Sequence, residues 1–460
     1  MKPFIFATTT LSVAGLSALS AETSRPNVII ILADDLGWNQ VGYHGSTWYQ
    51  TPNIDRIARE GTAYQAAYSA ASISSPTRAA LMTGKYPARL HLTDFIPGSA
   101  YETKPLVTPQ MNQGLPLAEL TLAERLHERG YINGIFGKWH LAENYNYTPG
   151  RPMDPESQGF DVVFHTNKPK QSDFNKPDAH NAISITDNAI KFIRENKNRP
   201  FFCYVAHNVV HMPLMEDQGL VSKYANKYGA SDPRNHPVMA AMIECMDTQI
   251  GRILNELDIL SLSQNTIIVF ASDNGGVCSL QSQAPFRGGK SMLYQGGIRV
   301  PVAIRWPGTV QVGVTVSDDQ PIITQDIFYT ITEAAGCDIS DLPSQSGLPT
   351  DGMSLLKYLR TGKKMPGRTL YWHYPHYHTL GGYPGSAIRE GNYMLIQWAE
   401  GELLGVGSAT NLYDLSIDQA QENDIAVENI DITMQLRDKL NRWKKSVNAQ
   451  EMTIRPTSGQ

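Results

Sequence analysis

The chain has 460 residues, of which 41% are hydrophobic and 18% are charged, and its formal net charge is −5 at pH 7. This composition is typical of a globular protein rather than a disordered one, and the length allows one large core plus a smaller domain. The acidic balance argues against a nucleic-acid-binding protein, and it means that an anionic substrate needs a local cluster of basic residues to attract it.

The first residues have the layout of a secretory signal peptide. Lys2 precedes an apolar stretch that is too short to span a bilayer, and the small residues Ala18, Ser20 and Ala21 stand near a plausible cleavage point. We therefore expect residues 1–21 to be a signal peptide and the mature protein to be secreted or periplasmic. No later segment is apolar enough to predict a membrane span.

Four short apolar runs rich in β-branched residues predict strands that are buried on both faces. They are NVIIILADD (27–35), GYINGIFGKWH (130–140), PFFCYVAHNVVH (200–211) and NTIIVFASDNGG (265–276). Helical patterns separate them, and one of these begins with a capping box formed by Thr121 and Glu124. The helical segments are TPNIDRIAREG, LTLAERLHERG, AISITDNAIKFIREN and MAAMIECMDTQIGRILNEL.

This alternation of strands and helices predicts an α/β fold, with a large, mixed, mostly parallel sheet sandwiched by helices. In such folds, ligands lie beyond the carboxyl ends of the strands. Each of the four predicted strands ends in charged or imidazole residues. We therefore expect these polar clusters to converge at one edge of the sheet.

Acidic and amide side chains follow two of the strands: Asp34 and Asp35 after the first, Asp273 and Asn274 after the last. Taken singly, such pairs are more often turns or helix caps. Adjacent carboxylates repel each other unless a cation lies between them. Three carboxylates and an amide suit an oxygen-loving divalent ion, and Ca²⁺ is favoured over Mg²⁺ when most of the ligands come from protein. The sequence predicts a calcium site here.

Basic and imidazole side chains follow the other strands. Lys138 and His140 lie two apart on an extended segment and so point to the same side, His211 ends a strand, and Lys290 follows a glycine pair. Each of them alone would be an ordinary surface residue. His207 and His211 are four apart, but the strand-like context and the missing acidic partner argue against a zinc helix.

The stretch SISSPTRAALMTG (72–84) predicts a short helix that Pro76 is suited to open, with Ser74 just upstream of its N-terminus. The free N–H groups and the dipole of a helix N-terminus favour negative charge. By itself the stretch is typical of a serine-capped surface helix.

The four cysteines are widely spaced and have no zinc pattern, so we expect buried apolar side chains. In an oxidising compartment, two of these cysteines could form one disulfide, but the sequence does not say which two. The residues are Cys203, Cys245, Cys278 and Cys337.

Residues 366–460 predict a smaller α+β domain with a short antiparallel sheet, which follows a larger domain at 22–365. Two segments are candidates for substrate contact. Residues 91–116 have no clear periodicity, and long loops of this kind are often functional. Residues 371–389 are rich in tyrosine and histidine and predict a sugar-contacting wall, with His373, His376 and Arg389 as candidate contacts. Two other interpretations of this segment remain: a strand pair with exposed aromatic side chains, and a metal site.

Together the motifs resemble the type I, formylglycine-dependent sulfatases, which are relatives of alkaline phosphatase. The resemblance runs from RPNVIIILADDLGW through YQTPNIDRIAREG, SSPTRAALMTG, GYINGIFGKWH, VVHMP, ASDNGG and PFRGGK to GGIRVPVAIRWPG. The family signature is Cys or Ser, any residue, Pro, a small residue and Arg. It maps here to residues 74–78, SSPTR, which indicates a serine-type member with Ser74 as the key residue.

The resemblance implies that Ser74 is oxidised after translation to formylglycine (3-oxoalanine), whose hydrate forms a sulfate adduct that can collapse and expel sulfate. It implies a maturation enzyme that acts before export. It also implies roles for the other candidates. The metal would be held by Asp34, Asp35, Asp273 and Asn274, and the hydrate would be fixed by Arg78 and Lys138. His140 would take a proton during collapse, Lys290 and His211 would bind the sulfate, and His211 would also protonate the leaving alcohol.

The resulting hypothesis is a secreted sulfatase that acts on a sulfated polysaccharide or its oligosaccharides. Two alternatives stay open. One is a phosphomonoester or phosphonate hydrolase of the same superfamily that uses unmodified Ser74, and the other is a catalytically silent glycan-binding homologue.

Overall fold

The computed structural model describes residues 25–174, 176–339 and 351–456, so the signal peptide predicted for residues 1–21 lies outside the described part of the chain. The strands are β1 (Asn27–Ala33), β2 (Thr62–Tyr64), β3 (Ala67–Tyr68), β4 (Leu106–Val107), β5 (Ile132–Gly137), β6 (Val162–His165), β7 (Phe201–Ala206), β8 (Thr266–Ser272), β9 (Val302–Arg305), β10 (Val314–Val316), β11 (Ile322–Ile323), β12 (Thr369–Tyr374), β13 (Gly385–Glu390), β14 (Tyr393–Trp398), β15 (Thr410–Asp414) and β16 (Thr453–Ile454). The helices are α1 (Pro52–Arg59), α2 (Ser74–Thr83), α3 (Pro87–Leu90), α4 (Leu122–His127), α5 (Ala182–Asn196), α6 (Gln218–Ala225), α7 (Pro237–Ile259), α8 (Gln295–Ile298), α9 (Thr324–Ala334), α10 (Leu356–Thr361), α11 (Ala399–Leu404) and α12 (Ile430–Ser446).

The large sheet has eight strands in the order β10-β2-β9-β8-β1-β7-β5-β6. The five strands from β8 to β6 are parallel to one another, whereas β9 is antiparallel to both β8 and β2. The predicted α/β fold with a mixed, mostly parallel sheet is confirmed. All four strands predicted from the apolar runs are present, and β8, β1, β7 and β5 are neighbours at the centre of the sheet.

Both faces of this sheet are covered, because side chains along a strand point alternately to opposite faces. Val28, Ile30 and Leu32 of β1 belong to a core that also contains apolar residues of α2, α4 and α9. Ile29 and Ile31 belong to a second core with α1, α5 and α7. All residues of β1 are buried, which explains why its sequence is continuously apolar rather than alternating.

The predicted helix ends follow local chemistry. The capping box of α4 is present: the Thr121 hydroxyl accepts from the Glu124 N–H at 3.1 Å, and the Glu124 carboxylate accepts from the Thr121 N–H at 2.7 Å. Helix α2 begins at Ser74 itself and ends at Gly84, whose φ of 70° suits a glycine C-cap.

A second sheet, β12-β13-β14-β15, is antiparallel throughout, and this confirms the short antiparallel sheet predicted for the C-terminal part. Helix α12 covers one of its faces, where the Trp443 ring stacks on Tyr371 with centroids 4.7 Å apart. On the same sheet, Trp372 donates its indole N–H to the Ser69 carbonyl at 2.9 Å, and this bond ties the sheet to the larger part. The domain boundary at residue 365 stays a prediction.

All four cysteines are free. No helix in the described ranges is long and apolar enough to cross a membrane.

Candidate active site

The loops after β1, β5, β7 and β8 meet at the carboxyl edge of the large sheet. Because these strands are parallel neighbours, their polar ends lie side by side. Two backbone hydrogen bonds join the loops: Asp34 N–H donates to the Val209 carbonyl at 2.8 Å, and Asp35 N–H donates to the Asp273 carboxylate at 3.1 Å. The expected convergence of the polar clusters is therefore present.

Four oxygen-bearing side chains lie together at this edge, and each is at most 2% exposed: Asp34, Asp35, Asp273 and Asn274. Asn274 donates its side-chain amide to the Asp35 carboxylate at 2.8 Å, so the two strand ends are in direct contact.

Each carboxylate is paired with one cation. Lys138 Nζ lies 2.8 Å from Asp34, and Lys290 Nζ lies 2.8 Å from Asp35. Arg78 donates two hydrogen bonds to one oxygen of Asp273, at 3.0 and 2.8 Å. The cluster thus holds three negative and three positive groups and is close to neutral by itself.

Burial and pairing act in opposite directions on these groups. Burial, the largest single influence, would raise the pKa of Asp34 and Asp35, but the neighbouring cations together, chiefly Lys138 for Asp34 and Lys290 for Asp35, hold both pKa values below the ordinary value. Burial lowers the pKa of Lys138, whereas for Lys290 the surrounding carboxylates, chiefly Asp35, together outweigh burial and raise the pKa. Asp34 and Asp35 are therefore ionised at neutral pH.

Ser74 stands at the centre of this cluster. Its hydroxyl lies 3.3 Å from an Asp34 oxygen and 3.3 Å from the Asn274 side-chain oxygen. Lys138 Nζ is 3.4 Å from the same hydroxyl. The first turn of α2 is fully buried, so Ser74 is not the cap of a surface helix.

Two histidines flank the cluster. Burial, helped by Lys138, lowers the pKa of His140 well below its ordinary value. One ring nitrogen of His140 contacts the Ile96 carbonyl at 2.9 Å, and the other is buried with no partner among the described residues. His211 Nε2 lies 3.8 Å from Asp35, and burial, helped by Lys290, lowers its pKa to about 4. Both rings are therefore neutral at pH 7.

A cavity of about 30 Å³ lies beside the two histidines, and Tyr145 and Lys168, which line it, were not predicted as site residues. His378, which is influenced by Lys290, was not predicted either. Tyr145 stacks on His140 with centroids 4.7 Å apart. Burial and then Lys290 lower the pKa of Lys168, and they lower that of His378 to about 4. The positive charge of Lys290 thus contributes to the lowered pKa values of both Lys168 and His378. Lys168 follows β6, a strand that ends at the same edge as β5 and that the apolar-run pattern did not reveal.

The three predicted sugar contacts are buried and bound to protein. His373 contacts the Ser386 hydroxyl and the Gln450 carbonyl, each at 2.7 Å, and His376 contacts the Thr93 hydroxyl at 2.7 Å. Arg389 donates to the Tyr68 hydroxyl and to the Asp318 carbonyl, both at 2.5 Å. None of these partners belongs to the cluster around Ser74, so the structure does not bring His373, His376 and Arg389 to it.

The residues present fit a divalent cation. Asp34, Asp35 and His211 each offer a ligand atom within 4.8 Å of the others, and Asn274 adds an amide oxygen beside them. Asp273 completes the oxygen set but is held by Arg78. A divalent ion would change the near-neutral cluster to a net charge of about +2, which suits an anionic substrate.

Comparison with known families identifies the family to which the chain belongs. The sulfatase family model matches residues 26–337, a range that contains every residue of the cluster. The chain belongs to the sulfatase family. Sulfatases hydrolyse sulfuric esters and have the alkaline phosphatase-like fold. A second model, the C-terminal region of N-sulphoglucosamine sulphohydrolase, matches residues 288–446.

Individual relatives extend over most of this sulfatase. A sulfatase of Formosa agariphila is 28% identical over 92% of this chain and 90% of its own length. The N-acetylgalactosamine-6-sulfatase of Canis lupus familiaris is 30% identical over 79% of this chain and 71% of its own. The crystal structure of Ps i-CgsB in complex with k-i-k-neocarrahexaose is 26% identical, with a TM-score of 0.74, and covers 92% of this chain and 93% of that chain.

Proposed function

We propose that this protein is a secreted sulfatase that removes sulfate from a sulfated carbohydrate, using Ser74 converted to formylglycine and a bound Ca²⁺. The observation that carries the proposal is the position of Ser74. Its hydroxyl lies 3.3 Å from Asp34 and from Asn274, inside a buried cluster of three carboxylates and three cations.

The metal would be held by Asp34, Asp35, Asp273 and Asn274, whose hard oxygens suit Ca²⁺ better than Mg²⁺ in a cage made mostly of protein. When bound, the ion would lower the pKa of the attacking hydroxyl and neutralise charge on the sulfate.

Formylglycine hydrate at position 74 would supply a hydroxyl nucleophile and a second hydroxyl through which sulfate is expelled. Lys138 lies 3.4 Å from the Ser74 hydroxyl, and Arg78 donates to the Lys138 carbonyl at 3.1 Å, so these two residues orient position 74. Lys290 presents a buried ammonium that can bind a sulfate oxygen.

The two histidines would move protons. His140 is neutral, and one of its ring nitrogens has no partner among the described residues, as a proton acceptor requires. His211 is neutral before substrate binds, and a bound sulfate monoester would raise its pKa by adding negative charge next to it. His211 can then protonate the leaving alcohol.

Two observations support a carbohydrate substrate. The structure of Ps i-CgsB, which resembles this chain along its length, was solved with a carrageenan-type oligosaccharide. A cleft of about 250 Å³ lined by Tyr294, Tyr383 and Trp398 also includes Met292, two residues after Lys290. Aromatic faces of this kind suit sugar rings.

Two further parts of the proposal concern maturation and location. The serine at position 74 requires a maturation enzyme that accepts serine and acts before export. The N-terminal sequence supports export to the periplasm or the medium.

The test is sulfate release from a panel of sulfated oligosaccharides by enzyme from a host with serine-type maturation. Ser74→Ala should abolish release. Ser72→Ala is the matched control, because Ser72 is also buried and its hydroxyl has no hydrogen-bond partner in the described ranges. Hydrolysis of phosphate or phosphonate esters without sulfate release would contradict the proposal, as would binding of the glycans without turnover.

A further inference from the structure

A wide groove lies at the opposite edge of the large sheet from Ser74. It is lined by Asn27 at the start of β1, by Pro200 before β7 and by Asn265 before β8, and its volume is about 970 Å³. The carboxyl ends of the same strands carry the candidate active site. A ligand in this groove therefore cannot be part of the sugar unit that is attacked.

Five cationic side chains line this groove, and the described lining residues include no carboxylate. We call it the basic groove, and its cations are Arg25, Arg129, Lys197, Arg199 and Arg360. Apart from Arg129, which is partly buried, all of these side chains are exposed. The chain as a whole has a net charge of −5, so this local excess of positive charge is not a consequence of composition.

None of these five cations forms an ion pair with any residue that the structure describes, in contrast to Arg78, Lys138 and Lys290 in the active site. Arg199 donates to the side-chain oxygen of Asn196 at 2.9 and 2.7 Å, which satisfies two donors without neutralising its charge. The Nε of Arg129 is buried and has no hydrogen-bond partner within the described ranges. The Arg129 side chain lines the groove and has no ion-pair partner in the described ranges, so its positive charge is not neutralised by protein.

We propose that the basic groove binds a second stretch of the sulfated glycan, away from the active site. This inference rests on the proposed function, because a sulfated polysaccharide is the polyanion that the enzyme would meet as substrate. Sulfate half-esters stay negatively charged at all working pH values, and guanidinium groups bind such oxyanions through paired N–H donors. Trp306 also lines the groove but is only 8% exposed, and the Arg360 guanidinium lies 5.8 Å from its ring centre, so the cations rather than an aromatic face carry the proposal.

This placement has a functional consequence. A groove on the far side of the sheet cannot select the sulfated ring, but it can hold the enzyme on a polymer or a gel between turnovers. The groove should therefore increase turnover of long sulfated chains and leave turnover of short oligosaccharides unchanged.

The test compares two triple variants, each made in the full chain. The groove variant is K197Q/R199Q/R360Q, and the control R437Q/R442Q/K445Q removes the same charge from α12. Binding of fluorescently labelled dextran sulfate is measured by anisotropy at several NaCl concentrations. We expect the groove variant to bind about tenfold more weakly with a smaller salt dependence, and the control to stay within about twofold of the wild type.

Two results would overturn the inference. One is equal affinity of the groove and control variants for dextran sulfate, and the other is tighter binding of inorganic polyphosphate than of dextran sulfate by the wild type. Turnover of a short sulfated oligosaccharide should be the same in both variants. If the wild type releases no sulfate at all while the binding difference persists, the proposed function fails and the groove assignment stands.

Discussion

At the scale of single residues, the candidate active site buries three carboxylates by giving each its own cation. A buried unpaired charge is very costly, whereas a paired and hydrogen-bonded charge is tolerated. Lys138, Lys290 and Arg78 meet this requirement for Asp34, Asp35 and Asp273, respectively. The same pairing lets the cluster stay assembled before a metal or a substrate adds further charge.

Asp94 is a buried carboxyl that gives a residue-level prediction. In the described ranges it pairs with no lysine or arginine, and His376, 3.9 Å away, is neutral because burial lowers its pKa to about 3. Burial raises its pKa to about 7, although the Phe95 N–H and the Tyr374 hydroxyl both donate to it. Below about pH 4 the group is protonated in both folded and unfolded chains. As the pH rises from 4 to 7, the unfolded chain loses this proton first, so Asp94 progressively destabilises the fold, by about 1.4 kcal/mol per unit of pKa difference.

The variant Asp94→Asn should lack this loss, because its amide oxygen can still accept the same hydrogen bonds without ionising. Urea unfolding of wild type and variant at pH 4, 5.5 and 7 measures the difference. We expect the variant to gain stability relative to wild type as the pH rises. A constant difference across this range would show that Asp94 has an ordinary pKa.

At the scale of elements, strand ends determine the site, and this part could be predicted from the sequence. Apolar runs that end in Asp34–Asp35, in Lys138 or in Asp273–Asn274 mark parallel strands whose polar ends must meet. The capping box of α4 and the bounds of α5 also follow from local sequence.

Other features depend on tertiary packing and could not be predicted. Strand β12 is covered on both faces, so the alternation of its side chains does not say which histidine of residues 371–389 points to the site. His373 and His376 form hydrogen bonds to other protein groups, whereas the charge of Lys290 helps to lower the pKa of His378. Lys168 was missed because β6 has only four residues, none of them buried, and so lacks the longer apolar run of the central strands.

Helix α1 depends on α7 for its N-terminal cap, and this gives an element-level prediction. Thr51 provides no side-chain cap, and the buried Asp247 of α7 accepts from Asn53 N–H at 3.0 Å and from Ile54 N–H at 2.8 Å. Asp247→Ala should lower the free energy of unfolding by about 1–3 kcal/mol, because two helix N–H groups lose their acceptor.

The matched control is Asp187→Ala, which removes an exposed ion pair to Arg252 of the same helix and should cost less than about 1 kcal/mol. Chemical denaturation of both variants gives the comparison. Equal losses would contradict the capping role of Asp247.

At the scale of the whole molecule, the two edges of one sheet have different electrostatic characters. The carboxyl edge holds a near-neutral cluster that a divalent ion would make positive, and the amino edge holds the basic groove with no acidic lining in the described ranges. With a divalent ion bound, a chain that is acidic overall would present positive potential at two separate places.

Removal of divalent ions should separate activity from folding. Because three cations already balance the three carboxylates, a chelator should lower sulfate release by at least about 100-fold while circular dichroism shows an intact fold. The midpoint of thermal unfolding should fall by only a few degrees, since the lost contribution is that of ligand binding. Added Ca²⁺ should restore release better than Mg²⁺, and full activity in the chelator would contradict the metal site.

The mass of the peptide that contains Ser74, taken from enzyme that releases sulfate, tests the central claim most directly. We expect a residue that is two hydrogens lighter than serine, as formylglycine is, or its hydrate. A fully active preparation in which this peptide carries only unmodified serine would contradict the claim.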